Sequence, residues 1–290
     1  MQSIDSSESS NSANSSILAD DILGLVDLKR YPIHDPDGAG REFVTDCQQS
    51  MAKNGWCSLD EFIQPEGIEL LRQEANALLP DASPLTISRN IYGQAPDPLL
   101  PKHHPGRREY IHHALQLAND QIADDSLTKQ LYRSECLTRF IGQVQGKDKL
   151  YRSADEFQAA NIVALPPGSW QGWHYDHDEC VVTLLLQSAE SGGEFVFIPN
   201  CRTRETEDMN LVEQFLDGDM TVAKTFARNA GTLTMFRGEF SLHGVTQIEG
   251  NKPRITAIFT YDEIPDRKAR NDINIRIYGP RVERILSQRK

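Results

Sequence analysis

Residues 172–179 read Gly-Trp-His-Tyr-Asp-His-Asp-Glu and run into the apolar stretch 181–186. Seven polar or aromatic side chains in succession suit chemistry better than packing. In an extended chain alternate side chains share a face, so His174 and Asp176 point the same way and form half of a metal site. A third ligand stands 69 residues on, where His243 follows a strand-like run at 231–236. Two imidazoles and one carboxylate leave coordination positions open, which suits a catalytic Fe(II). A structural zinc would need a fourth protein ligand, and no obvious one is present. His177 and Glu179 make a second His-x-carboxylate pair on the opposite face of a regular strand, so the residues alone leave the register open.

The elements that must position these residues change character midway. Residues 42–55 and 64–79 have helical apolar spacing, with Pro80 ending the second run and 56–59 reading as a short strand between them. A short helix fits 17–26, and 31–41 is loop. The stretch 84–107 is irregular and holds Arg89 and the basic cluster around His103 and His104, which reads as a solvated loop, a lid or a binding loop. Residues 109–117 and 126–140 read as further helices, which would turn His112 and His113 to different faces. From 160 on, short β-rich runs at 160–165, 181–187, 194–198, 221–226, 231–236, 244–248 and 254–261 are separated by Gly, Pro and Asn turns. This pattern predicts a sandwich or barrel. A helical excursion at 202–215, a further strand at 273–278 and a basic helix or tail at 282–290 complete the chain. The fold class is α+β with a mainly β core. Residues 17–290 form a single domain, comprising a helical part at 17–158, the β core at 159–262 and a C-terminal strand with basic tail at 263–290. Residues 1–16, half of them serine, read as a disordered tail.

The net charge of −12 argues against nucleic-acid and anionic-membrane partners. Five scattered cysteines without a C-x-x-C suit a reducing interior. No long apolar run marks a membrane span and no basic-then-apolar start marks a secretory signal, so the expected location is cytoplasmic. The expected partner is a small-molecule substrate, and a homodimer is allowed for.

Taken in order, His-Tyr-Asp at 174–176, the Thr-x-Leu-Leu-Leu type run from Thr183, Gly-Gly-Glu-Phe at 192–195, the strand into His243-Gly-Val and Arg254 after Gly250 resemble the Fe(II)/2-oxoglutarate-dependent oxygenases. The likeness covers residues 160–262. It implies a double-stranded β-helix (jelly-roll) core with the N-terminal helices packed on one sheet. It also implies Fe(II) on His174, Asp176 and His243, with 2-oxoglutarate as cosubstrate and O2 as oxidant. Arg254 would grip the distal carboxylate bidentately, as a lysine cannot, and Thr256 would add a hydroxyl. The nine-residue step from His174 to Thr183 is similar to the family's spacing and favours Asp176 over Glu179. The rival reading is a cupin-type metal-dependent dioxygenase or isomerase that does not use 2-oxoglutarate.

The helical first half, Gln-Gly-Trp-His-x-Asp and the tail beyond the last strand resemble the branch containing free-amino-acid radical halogenases and their hydroxylase relatives. Halogenases of that branch carry Gly or Ala where this chain has Asp176. The likeness therefore implies hydroxylation of an unactivated C–H bond in a small polar metabolite, a free amino acid or derivative. Arg89 is the candidate for a substrate carboxylate, and Gln171, His177 and Tyr278 are candidates for the pocket wall.

Overall fold

The strand Val181–Gln187 carries apolar residues on both faces because both faces are covered. The structure, a computed structural model, describes residues 22–289. The tail expected at 1–16 lies outside the described residues. Of the helix expected at 17–26, the described end is a 3-10 turn at Ile22–Leu25.

The helical half begins with α1 (Arg41–Asn54), β1 (Trp56–Leu59) and α2 (Pro65–Leu78). Val44, Cys47 and Met51 recur at helical spacing on the buried side of α1. Gly55 ends that helix at φ 76°, its N–H returning to the Met51 carbonyl. Next come β2 (Ser83–Arg89), β3 (Tyr110–Leu117), α3 (Leu127–Arg133) and α4 (Glu135–Val144). The helix expected at 109–117 is thus strand β3, paired along its length with β2, whose residues fall in a stretch expected to be irregular. The single helix expected at 126–140 is two. Ser134 leaves helical geometry at ψ 119°, and its hydroxyl accepts the Leu137 N–H at 3.3 Å to start α4.

The β half contains β4 (Tyr151–Arg152), β5 (Ala160–Leu165), β6 (Gln171–His174), β7 (Val181–Gln187), β8 (Ser191–Gly192) and β9 (Phe195–Ile198). After α5 (Met209–Leu216) come β10 (Lys224–Phe226), β11 (Leu233–Phe236), β12 (Leu242–Val245), β13 (Ile248–Glu249), β14 (Arg254–Phe259) and β15 (Tyr261–Asp262). The chain closes on α6 (Asn271–Tyr278) and α7 (Pro280–Ser287), so the strand expected at 273–278 is a helix.

Seven strands form one antiparallel sheet in the order β1-β11-β7-β14-β5-β3-β2, and four form a second in the order β10-β9-β12-β6. Val182, Leu184 and Leu186 of β7, with Ile255, Ala257 and Phe259 of β14, pack against the helical layer. The other face of the large sheet looks across at the small one, where Phe195, Phe197 and Val245 meet Leu165 and Phe236. Two facing antiparallel sheets with helices outside one of them match the expected jelly roll. The inward positions of the large sheet, including Asn161, Thr183, Arg254 and Thr256, therefore line the gap between the sheets. Among the described residues no helix is long and apolar enough to cross a membrane.

Candidate metal centre

β6 stops at His174, so Asp176 reaches the site from the loop beyond rather than from the strand face its spacing suggested. The loop is pinned by its backbone: Tyr175 N–H donates to the Ile91 carbonyl at 3.0 Å, and Asp176 N–H to the Gly238 carbonyl at 3.1 Å. His243 on β12 stands opposite His174 in the sheet register, with ring centroids 4.3 Å apart. Asp176 Oδ1 lies 3.5 Å from His174 Nε2, and Oδ2 lies 3.1 Å from His243 Nε2. One ligand atom from each residue falls within 4.8 Å of the others. Glu179 turns away, with an oxygen 3.6 Å from Lys147 Nζ and another 3.6 Å from Arg237 Nη2. The loop therefore presents Asp176, not Glu179, to the two histidines.

Close packing demands glycine nearby. A Cβ on Gly238 would sit 2.2 Å from Asp176 Oδ2, and one on Gly244 would sit 2.5 Å from the Trp173 ring.

The donor set fits a divalent metal. His174 Nδ1 donates to the Gly172 carbonyl at 2.8 Å and His243 Nδ1 to the Ser241 carbonyl at 2.9 Å. A neutral ring whose proton is held this way aims its Nε2 lone pair at the centre. Burial, then the neighbouring His243, lowers His174 to about 4, so it is uncharged at neutral pH. Burial pushes the Asp176 carboxyl up, but the two imidazoles outweigh it and hold the group well below the usual carboxylate range. Asp176 Oδ2 is buried and receives no hydrogen bond. Two imidazole nitrogens and a carboxylate oxygen thus converge on one point, an arrangement that a cation such as Fe(II) would satisfy.

From these residues a cavity of about 290 Å³ extends between the sheets. At one end Arg254 is buried and donates from Nη1 to Thr256 Oγ1 at 2.6 Å. Burial lowers its pKa to about 10, which leaves it charged. Arg228, which the sequence reading missed, shares this chamber. Its guanidinium lies 4.9 Å from the Phe195 ring centroid, its Nη1 donates to Thr183 Oγ1 at 3.0 Å, and its Nε has no acceptor.

At the other end Arg89, the last residue of β2, donates from Nε to His112 Nε2 at 3.1 Å. His112 was also missed, because a strand was read as a helix. It lies edge-on to His174 at 5.2 Å between centroids, and burial, then His174, pushes its pKa down to about 2. Gln171, His177 and Trp170 line the same cavity, with Gln171 Nε2 3.4 Å from His174 Nε2 and His177 exposed at the rim. Tyr278 arrives from α6, its hydroxyl donating to Asn161, and it brings Ile273, Arg276 and Ile277 to the wall. His103 and His104 stay outside this lining, and His104 Nδ1 accepts the Gly106 N–H at 3.0 Å.

Fold and donor set together define a jelly-roll protein of the Fe(II)/2-oxoglutarate-dependent oxygenase type. A family model described as Halogenase D matches residues 40–276, and the chain belongs to that family. No curated protein sequence matches the chain closely. Among solved structures it is similar to AviO1 from Streptomyces viridochromogenes Tue57, with TM-score 0.54 and 13% identity over 78% of this chain and 97% of that one. It is also similar to the non-haem alpha-ketoglutarate-dependent epimerase SnoN from nogalamycin biosynthesis, with TM-score 0.54 and 11% identity over 76% and 81% of the two chains. The carbocyclase SnoK from the same biosynthesis gives 0.51 and 12% over 74% and 82%. At such identities the likeness shows the fold.

Proposed function

We propose that this chain is a hydroxylase, dependent on Fe(II) and 2-oxoglutarate, that oxidises an unactivated C–H bond of a small polar metabolite, a free amino acid or a derivative of one. The observation that carries the reading is the Asp176 carboxylate, whose oxygens lie 3.5 Å from His174 Nε2 and 3.1 Å from His243 Nε2. In the halogenating relatives that this chain resembles, Gly or Ala leaves that position to chloride. Here an anionic oxygen fills it.

His174, Asp176 and His243 would hold the iron, and Arg254 with Thr256 would hold the distal carboxylate of 2-oxoglutarate. Iron, cosubstrate and O2 supply the oxidising power for C–H cleavage. The protein's part is position and exclusion of water. The Arg254 guanidinium, fixed by the Thr256 hydroxyl, offers its remaining N–H groups to a carboxylate as a fork. Phe195, Phe236 and Val245 give the neighbouring wall an apolar surface. The guanidinium of Arg89 would take the substrate carboxylate, with Gln171, His177 and Tyr278 setting the shape around it.

Anaerobic titration of Fe(II)-loaded protein with 2-oxoglutarate should give a visible metal-to-ligand charge-transfer band, and turnover should release succinate. Asp176→Ala should abolish iron-dependent turnover, whereas Glu179→Ala should retain it. In the presence of chloride the product should gain oxygen and no halogen. A chlorinated product from the unmodified protein would sink the hydroxylase assignment.

A further inference from the structure

The charge of the cavity does not balance, and the imbalance describes what must enter. Its charged lining consists of four arginines, Arg89, Arg228, Arg254 and Arg276, and two aspartates, Asp176 and Asp178, with no lysine or glutamate. The chain as a whole carries −12, so this cationic lining is a local arrangement. A divalent metal on the triad cancels the two aspartates and leaves the charge of all four arginines standing. Dianionic 2-oxoglutarate answers two of those charges, since it bears one carboxylate at each end. Two remain.

The unanswered pair is identifiable from the sheet order. Arg254 on β14 and Arg228, bonded to Thr183 on β7, share the cosubstrate end. Arg89 on β2 lies at the opposite edge of the large sheet, next to α6, which carries Arg276. Burial disfavours the charge of Arg89, Asp176 favours it, and Arg276 opposes it. Among the described residues neither is paired with a carboxylate; the bond of Arg89 is to His112.

Apart from Asp176 and the exposed Asp178, both already in the charge count, the acids around them are committed elsewhere. Asp155 accepts the backbone N–H groups of Phe157, Gln158 and Ala269. Asp262 pairs with Arg267 at 3.2 Å and Asp272 with Arg270 at 2.8 Å. The nearby amides are likewise engaged: Gln158 donates to Asn274 at 2.6 Å, and Asn161 accepts from Tyr278. The ligand must therefore bring the anions.

We infer that the substrate is a small molecule with two acid groups, one meeting Arg89 beside the metal and the other meeting Arg276 on α6. The shared chemistry is that of a dicarboxylic amino acid or a phosphorylated small metabolite. A lysine-like substrate would add a cation to a cavity that already carries a positive excess, and an aliphatic amino acid would leave Arg276 facing water at the cavity mouth. The inference rests on the hydroxylase reading and narrows its substrate.

Isothermal calorimetry on the anaerobic Fe(II)–2-oxoglutarate complex tests it with L-aspartate, L-glutamate, O-phospho-L-serine, L-leucine and L-lysine. At least one of the three acidic probes should bind about ten-fold tighter than leucine and lysine, and the preference between carboxylate and phosphate identifies the source of the second charge. Arg276→Gln and Arg89→Gln should each weaken that ligand by about ten-fold or more. Arg276→Gln should leave 2-oxoglutarate binding unchanged, and its exposed position removes folding as an explanation. Absence of binding by all three acids, equal binding by leucine or lysine, or wild-type affinity in Arg276→Gln overturns the inference. If the charge-transfer band forms and the acids fail, the inference falls while the hydroxylase reading stands; if no band forms with 2-oxoglutarate, that reading falls first.

Discussion

Arg228 shows what one residue adds to a site whose outline a sequence pattern supplies. It is half-buried, its side chain makes one hydrogen bond to a threonine hydroxyl, and its Nε has no acceptor. Beside the buried Arg254 it puts a second guanidinium in the same chamber, and two cations in one partly enclosed space are costly unless an anion joins them. A carboxylate has enough lone pairs to accept from both. Arg228→Gln is therefore expected to raise the KM for 2-oxoglutarate about ten-fold or more, the scale of a charge-assisted hydrogen bond. A purely structural arginine would instead lower the melting temperature and leave that KM alone. His174, Asp176, His243 and Arg254 were legible because polar residues at a strand end or a strand head interrupt an apolar pattern. Arg228 was not, because it lies in an ordinary polar loop between β10 and β11, and only the fold carries it inward.

At the scale of elements, the two largest misreadings have one cause. β3 alternates in space, but its inward positions are His112, Ala114 and Gln116, all on the cavity wall. With polar cavity-lining residues on that face, the period-two apolar signal vanishes, and Ile111, Ala114 and Leu115 imitate helical spacing. α6 is the converse. Its Ile-Asn-Ile-Arg-Ile-Tyr run alternates like a strand, yet it folds as a helix that buries Asn274 and Tyr278, four residues apart. Ile273 and Ile277 at the same spacing line the cavity. Tertiary contacts decide the outcome: Asp155 Oδ2 receives the Ala269 N–H at 3.0 Å and Asn274 Nδ2 at 3.1 Å, which ties the start of α6 to the segment before β5. Asp155→Ala removes the acceptor from these buried donors, at about 1–3 kcal/mol. It should speed amide exchange in α6 and weaken substrate binding while 2-oxoglutarate affinity holds. Equal loss of both affinities would mean that α6 supports the whole cavity and not the substrate end alone.

The whole molecule sets buried neutral histidines and a cationic cavity inside a chain of net charge −12. This makes the metal-free fold sensitive to acid in a definite window. Burial and neighbouring positive groups lower His174 from 6.5 to about 4 and His112 from 6.5 to about 2. Above about pH 6.5 both histidines are neutral whether the chain is folded or not, and they add no pH dependence. Below it the unfolded chain takes up protons that the folded chain refuses, so stability falls as pH falls. The loss continues through about pH 4, where folded His174 itself protonates, and His112 extends it further. Each histidine contributes at most about 1.4 kcal/mol per pH unit inside its window. Asp176, held low, acts in the same direction only below the ordinary carboxylate range. Urea unfolding of the metal-free protein between pH 7.5 and 5 should therefore show a midpoint that drops with acid. His112→Asn, which cannot titrate, should flatten that drop by about half while leaving the triad intact. An unchanged slope in that variant would place the acid sensitivity elsewhere in the chain.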